Sequence, residues 1–206
     1  ALSKITPDTL LIVVDTHITN MVEVPELLKE TEQIVVIDHH RRSIDSIENT
    51  LLTFHEVYAS SACELVTEIL EYANEEVKLE KLEAEALYAG IVVDTKNFTL
   101  KSGVRTFEAA AYLRKLGVDT QEVNQMFKKD LGTYVVISDI IGNMEVVKGH
   151  IGISICPKLE NESSLITAQA ADEMLNIDNI YASFVLCEDG EIIRVSGRSL
   201  GNINVQ

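Results

Sequence analysis

Three apolar runs in this chain each end in residues that can bind a cation or move a proton. Ile34-Val35-Val36-Ile37 stops at Asp38-His39-His40-Arg41-Arg42, Leu10 to Val14 stops at Asp15-Thr16-His17, and Leu87 to Val93 stops at Asp94-Thr95. Carboxylates and imidazoles are ligands for divalent metals, and imidazole also exchanges protons near neutral pH. A charged group on a buried segment must be paired or metal-bound, because desolvating it alone is costly. Three segments of the same design point to one convergent site made of Asp15, His39 and Asp94. The plainer alternative is a metal-free α/β domain in which those three groups merely pair with one another.

The elements that would position these residues follow from pattern. Four β-branched residues in a row, 34–37, predict a strand buried on both faces inside a parallel sheet, and 8–14 predicts another. In such sheets ligands bind beyond the carboxyl ends of the strands. Pro25 to Glu30 suits a short helix returning the chain between parallel neighbours. Ser61 and Glu64 have capping-box spacing ahead of a helix with Ala62, Leu65, Val66, Ile69 and Leu70 on one face. Glu80 to Ile91 reads as a second helix, and pattern leaves Ile91 to Val93 open between helix and strand. Thr106 to Leu116 is a packing helix closed by Gly117, followed by helices over 120–127 and 133–141. His55 reads as a loop histidine without a role.

From Glu145 the pattern becomes two hairpins around a helix at Ser164 to Leu175, which makes a small α+β domain. The turns fall at Lys148-Gly149-His150, which leaves His150 exposed, and at Asp189-Gly190.

Val-Val-Asp-Thr-His, Val-Ile-Asp-His-His-Arg-Arg and Gly-Ile-Val-Val-Asp-Thr together resemble successive motifs of the DHH/DHHA1 phosphoesterase family. Tyr58 to Glu68, Asp94 to Phe98 and Arg105 to Ala110 look most like its GdpP/YybT-type cyclic-di-AMP phosphodiesterase branch. The resemblance implies an α/β DHH domain over 1–128 with a parallel sheet flanked by helices. A connecting helix over 129–143 and a smaller α+β DHHA1 domain over 144–206 would follow. It implies Mn²⁺, two ions per site, with Mg²⁺ or Co²⁺ as substitutes. Asp15 would be a bridging ligand and His39 and Asp94 further metal ligands, with His40 an orienting or phosphate-contacting group. Asn97 and Phe98 would line the entrance, and Ser196 and Arg198, just past the last strand, would meet a nucleotide phosphate.

The expected reaction is hydrolysis of cyclic di-AMP to linear pApA. Oligoribonuclease or 3′-phosphoadenosine 5′-phosphate phosphatase activity, and a non-catalytic nucleotide-binding module, stay open. The family's first metal-binding motif is expected before residue 1 and its glycine-rich closing motif after residue 206, so this stretch alone is expected to be inactive. Arg41, Arg42 and Arg105 are further phosphate candidates beside solvated surface.

The 206 residues are 46% hydrophobic and 24% charged, a globular composition, and the net charge of −16 argues against gripping long nucleic acid. A small anionic substrate is compatible with that charge when metal ions supply the local positive field. Cys63, Cys156 and Cys187 are too few and too scattered for a disulfide framework or zinc knuckle and read as free thiols in a reducing cytoplasm. No run reaches the roughly 20 apolar residues of a membrane span. The family resemblance implies a cytoplasmic location with the parent protein anchored by upstream helices, and it allows a homodimer, for which no heptad or apolar patch in the sequence speaks.

Overall fold

The computed structural model describes residues 5–73, 78–157, 163–201 and 203–205. The two β-branched runs form parallel neighbours, β1 (Leu11–Val14) and β2 (Ile34–Asp38), in register from Leu11 opposite Ile34 to Val14 opposite Ile37. The first strand is shorter than the run that predicts it, since Thr9 turns back onto Thr6. The return between them is a 3-10 helix, Pro25–Lys29. A third parallel strand, β3 (Leu52–His55), pairs with the other side of β2 and brings His55 opposite Asp38. His55 is therefore a strand end and not a loop residue. With sheet order β1-β2-β3 and all strands parallel, residues 15, 38–40 and 55 leave the sheet at one edge.

Helix α1 (Ala62–Tyr72) covers β2, with Leu65 buried against Ile37 and Ala59. Ser61 caps it by accepting the Glu64 N–H at 3.0 Å, but the Glu64 side chain does not close the box. Helix α2 (Lys81–Asp94) runs straight through the third apolar segment, so Asp94 ends a helix rather than a strand. The reason is packing: α1, α3 (Val104–Lys115) and α4 (Thr120–Met126) all contact α2, and a helix enclosed this way is apolar on several faces and loses its helical period. Leu116 is the C-cap of α3, and Gly117, at φ +100°, takes the left-handed position beyond it.

The chain divides into units 1–127 and 128–206. In the second, α5 (Leu131–Gly142) precedes β4 (Glu145–Val147), β5 (Ile151–Ile155), α6 (Ser163–Met174), β6 (Ala182–Asp189) and β7 (Ile192–Ser199). Both hairpins form, and β5 and β6 are joined in parallel to give the order β4-β5-β6-β7. α5, the expected connector, contributes Ile137 and Ile140 to this unit's core beside Ala170, Met174 and Val185. Cys156 and Cys187 are buried there, Cys63 is half-buried in the first unit, and all three are free. Among the described residues no helix is long and apolar enough to cross a membrane.

Gly90 lets α1 and α2 approach, since a Cβ at that position would collide with the Cys63 Sγ. In a helix interior Gly→Ala gains about 1 kcal/mol, whereas overpacking costs about 1–3 kcal/mol. Gly90→Ala is therefore expected to lower stability in the native background and to raise it in Cys63→Ala. Denaturant unfolding of the four proteins in this cycle measures that change of sign.

Candidate metal centre

Asp15 is the first residue beyond β1 and sits at φ +64°, a left-handed conformation that Asp tolerates better than most residues. Its N–H donates to the Ile37 carbonyl at 2.9 Å, so its backbone is fastened to the tip of β2. His39 follows β2 directly and its side chain is only 9% exposed, against 59% for Asp15. The His39 Nδ1 lies 3.3 Å from the Ala59 carbonyl. A carbonyl can only accept, so Nδ1 carries the hydrogen and Nε2 of the neutral ring presents a lone pair.

That lone pair faces Asp15 Oδ1 at 3.4 Å and Asp94 Oδ2 at 3.7 Å. Three acceptors converge with no donor between them. A divalent metal ion would satisfy all three at once. Burial raises the Asp94 carboxyl above its ordinary value, His39 opposes the rise, and the Asp15 charge adds to it. The His40 Nδ1 is 4.0 Å from Asp15, and Asp15, His39 and His40 can offer ligand atoms within 4.8 Å of one another. Carboxylate and imidazole donors without thiolate fit a divalent ion of the Mg²⁺, Mn²⁺ or Zn²⁺ kind.

Asp94 is held in place from the far side of its helix end. Thr95, fully buried, donates its hydroxyl to the Ile91 carbonyl at 2.6 Å and accepts the Phe98 N–H at 2.9 Å. Lys96, Asn97 and Phe98 then make a left-handed turn with φ of 46°, 57° and 62°. Such residues cost about 1–2 kcal/mol each. Phe98, half-buried, offsets part of that by packing its ring against Tyr88 and Phe107.

Asp38, named in the sequence pattern but given no role there, is the buried centre of the edge. Its Oδ2 accepts from His17 Nδ1, and its Oδ1 accepts from His40 Nδ1 and the His39 N–H at 2.8 Å and from the His40 N–H at 3.2 Å. His17, also buried, uses Nε2 to accept the Ser43 N–H at 2.9 Å, which makes it the neutral Nδ1–H tautomer. The His55 Nε2 bonds the His40 carbonyl. His17, Asp38 and His55 also lie within ligand distance of one another, but both His17 nitrogens and both Asp38 oxygens are already engaged, so this cluster is a scaffold.

The other expected residues face solvent or make contacts of their own. Arg105 is held by Glu68 at 2.6 and 2.7 Å, and Arg41 and Arg42 are exposed. Ser196 and Arg198 belong to the second unit and lie within β7, not past it. The Ser196 hydroxyl bonds the Thr167 hydroxyl at 3.0 Å, and Arg198 pairs with Asp172 at 3.3 Å. His150 is half-buried with its ring 6.0 Å from that of Tyr181, because β6 begins beside the turn.

Burial pushes the Asp38 carboxyl up, but hydrogen bonds from His17, His40 and two backbone N–H groups outweigh it and bring the pKa from 3.8 down to about 2. A carboxyl whose pKa falls on folding contributes stability that is complete above its unfolded value and is lost as the pH drops toward the folded one. Asp38→Asn sets an amide N–H against donors and is expected to cost about 1–3 kcal/mol at neutral pH. It should also flatten the loss of stability between pH 4 and pH 2, read from denaturant midpoints across that range.

Residues 2–91 match the DHH family, N-terminal domain. Over its whole length the chain is 47% identical to the cyclic-di-AMP phosphodiesterase PdeA of Listeria monocytogenes and 47% identical to the cyclic-di-AMP phosphodiesterase GdpP of Geobacillus thermodenitrificans. It covers 32% of each, so it spans about a third of the length of these curated relatives. A crystal structure of an exopolyphosphatase-related protein from Bacteroides fragilis shares the fold with a TM-score of 0.80 at 21% identity, over 92% of this chain and 58% of that one. The strand-end Asp-His-His cluster lies inside the stretch that matches the DHH family, N-terminal domain.

Proposed function

We propose that this chain is the phosphodiester-cleaving part of a divalent-metal-dependent cyclic-di-AMP phosphodiesterase that yields linear pApA. The observation that carries the reading is the His39 lone pair facing the carboxylates of Asp15 and Asp94. The relatives' names supply the substrate class, and the donor chemistry supplies the cofactor class. Asp15, His39 and Asp94 would hold the metal, with Mn²⁺ as the proposed ion at two per site. A pair of such ions supplies an activated water and neutralises phosphate charge when bound.

The chain's own groups account for the rest. Ala59 holds the His39 ring so that Nε2 is the coordinating atom. His40 donates Nδ1–H to Asp38, which leaves Nε2 of a 56%-exposed ring as the basic nitrogen. From that position His40 can meet a phosphate oxygen or a leaving oxygen and hand it a proton. The net charge of −16 would repel a dinucleotide dianion from a metal-free site, which is consistent with cation dependence. The second unit is proposed as the DHHA1 domain, in which Ser196 and an Arg198 oriented by Asp172 receive the nucleotide.

In the full-length protein, Mn²⁺ is expected to support conversion of cyclic di-AMP to pApA, and a chelator should abolish it. His39→Ala and Asp94→Asn should each lower turnover by more than the roughly 100-fold upper loss typical of residues behind metal ligands. A preference for pAp or short oligoribonucleotides would redirect the substrate assignment. Tight nucleotide binding without turnover in the metal-loaded protein would make it a binding module.

A further inference from the structure

The carboxylate of Glu64 is 1% exposed, and the metal centre as described makes no use of it. Its Oε2 accepts the Ser60 N–H at 3.1 Å, the Ser60 hydroxyl at 2.5 Å and the Thr106 hydroxyl at 2.7 Å. Ser60 and Ser61 are fully buried, Ala59 nearly so, and the Ala59 N–H is tied to the Glu56 carbonyl at 3.1 Å. The residue anchored by this network adjoins the one whose carbonyl meets His39 Nδ1. A capping role alone would not require it, because the Ser61 hydroxyl already caps α1.

We propose that Glu64 is a positioning residue of the metal centre: by clamping Ser60 it holds the Ala59 carbonyl on His39 Nδ1 and so fixes which ring nitrogen faces Asp15 and Asp94. The effect on metal rests on the reading of His39 as a ligand, whereas the effect on the ring does not. Without the clamp the 59–60 peptide is free to shift. Nδ1 then loses its acceptor, and the neutral ring can place its hydrogen on Nε2, toward the carboxylates, where it competes with a cation.

The test uses the full-length protein with ¹⁵N-labelled histidine. In the metal-free wild type, the His39 shifts should report a protonated Nδ1 and an unprotonated Nε2. Glu64→Met keeps the bulk but removes the acceptor, so it should mix the two tautomers and weaken Mn²⁺ binding by calorimetry roughly 10- to 100-fold. Glu64→Gln retains one acceptor oxygen and should restore both readouts. Should Glu64→Met not fold, the double variant Ser60→Ala, Thr106→Val strips two of the three donors and should shift both readouts the same way. Unchanged His39 shifts and Mn²⁺ affinity in the folded variants overturn the proposal. A changed tautomer in a protein whose wild type binds no Mn²⁺ upholds the positioning of the ring and defeats the metal reading instead.

Discussion

A buried carboxylate surrounded by N–H groups holds the functional edge of the first unit together. Asp38 ends the central strand, and its two oxygens take hydrogen bonds from His17, which follows β1, and from the backbone and ring of the His39-His40 pair that follows β2. His55 at the end of β3 adds the third strand by bonding the His40 carbonyl. Parallel strands have no tight turns to fix their tips relative to one another. Here side-chain hydrogen bonds do so, and an acceptor at full burial is tolerated because its donors are all present.

What that scaffold supports is a deliberate electrostatic imbalance. Asp15 stands at a strained φ, and Asp94 stands at the C-terminal end of α2, where the helix dipole is negative and disfavours an anion. His39 directs a lone pair at both. Each feature is unfavourable alone, and one cation relieves all three. Strain and charge repulsion concentrated at one point, with the surrounding hydrogen bonds fully made, is the pattern of a prepared binding site. The left-handed turn at 96–98 carries the chain away from Asp94 while Thr95 keeps the helix end closed.

Much of this was legible in the sequence. The uninterrupted β-branched run at 34–37 announced a doubly covered strand, and its abrupt end in Asp-His-His placed the site at the sheet edge. Asp15, His39 and Asp94 do converge. The pattern was ambiguous where burial erased periodicity: Ile91 to Val93, at the end of an α2 packed by three helices, read equally as helix or strand, and the structure makes them helix. β3 was missed because it is short and half exposed, and with it went the place of His55. The roles of His17, Asp38 and Glu64 depend on contacts across 21 and 42 residues, which no local spacing encodes. In the second unit both hairpins follow from their turns, whereas the parallel β5–β6 pairing and the position of Ser196 and Arg198 inside β7 required the fold.

The most direct measurement is anomalous diffraction at the manganese edge from crystals of the full-length protein grown with Mn²⁺. A peak among His39 Nε2, Asp15 and Asp94, with none within the His17, Asp38 and His55 cluster, is the result this account predicts. A protein that binds Mn²⁺ in the crystal with density only at the second cluster, or with His39 turned so that Nδ1 faces the carboxylates, would contradict it.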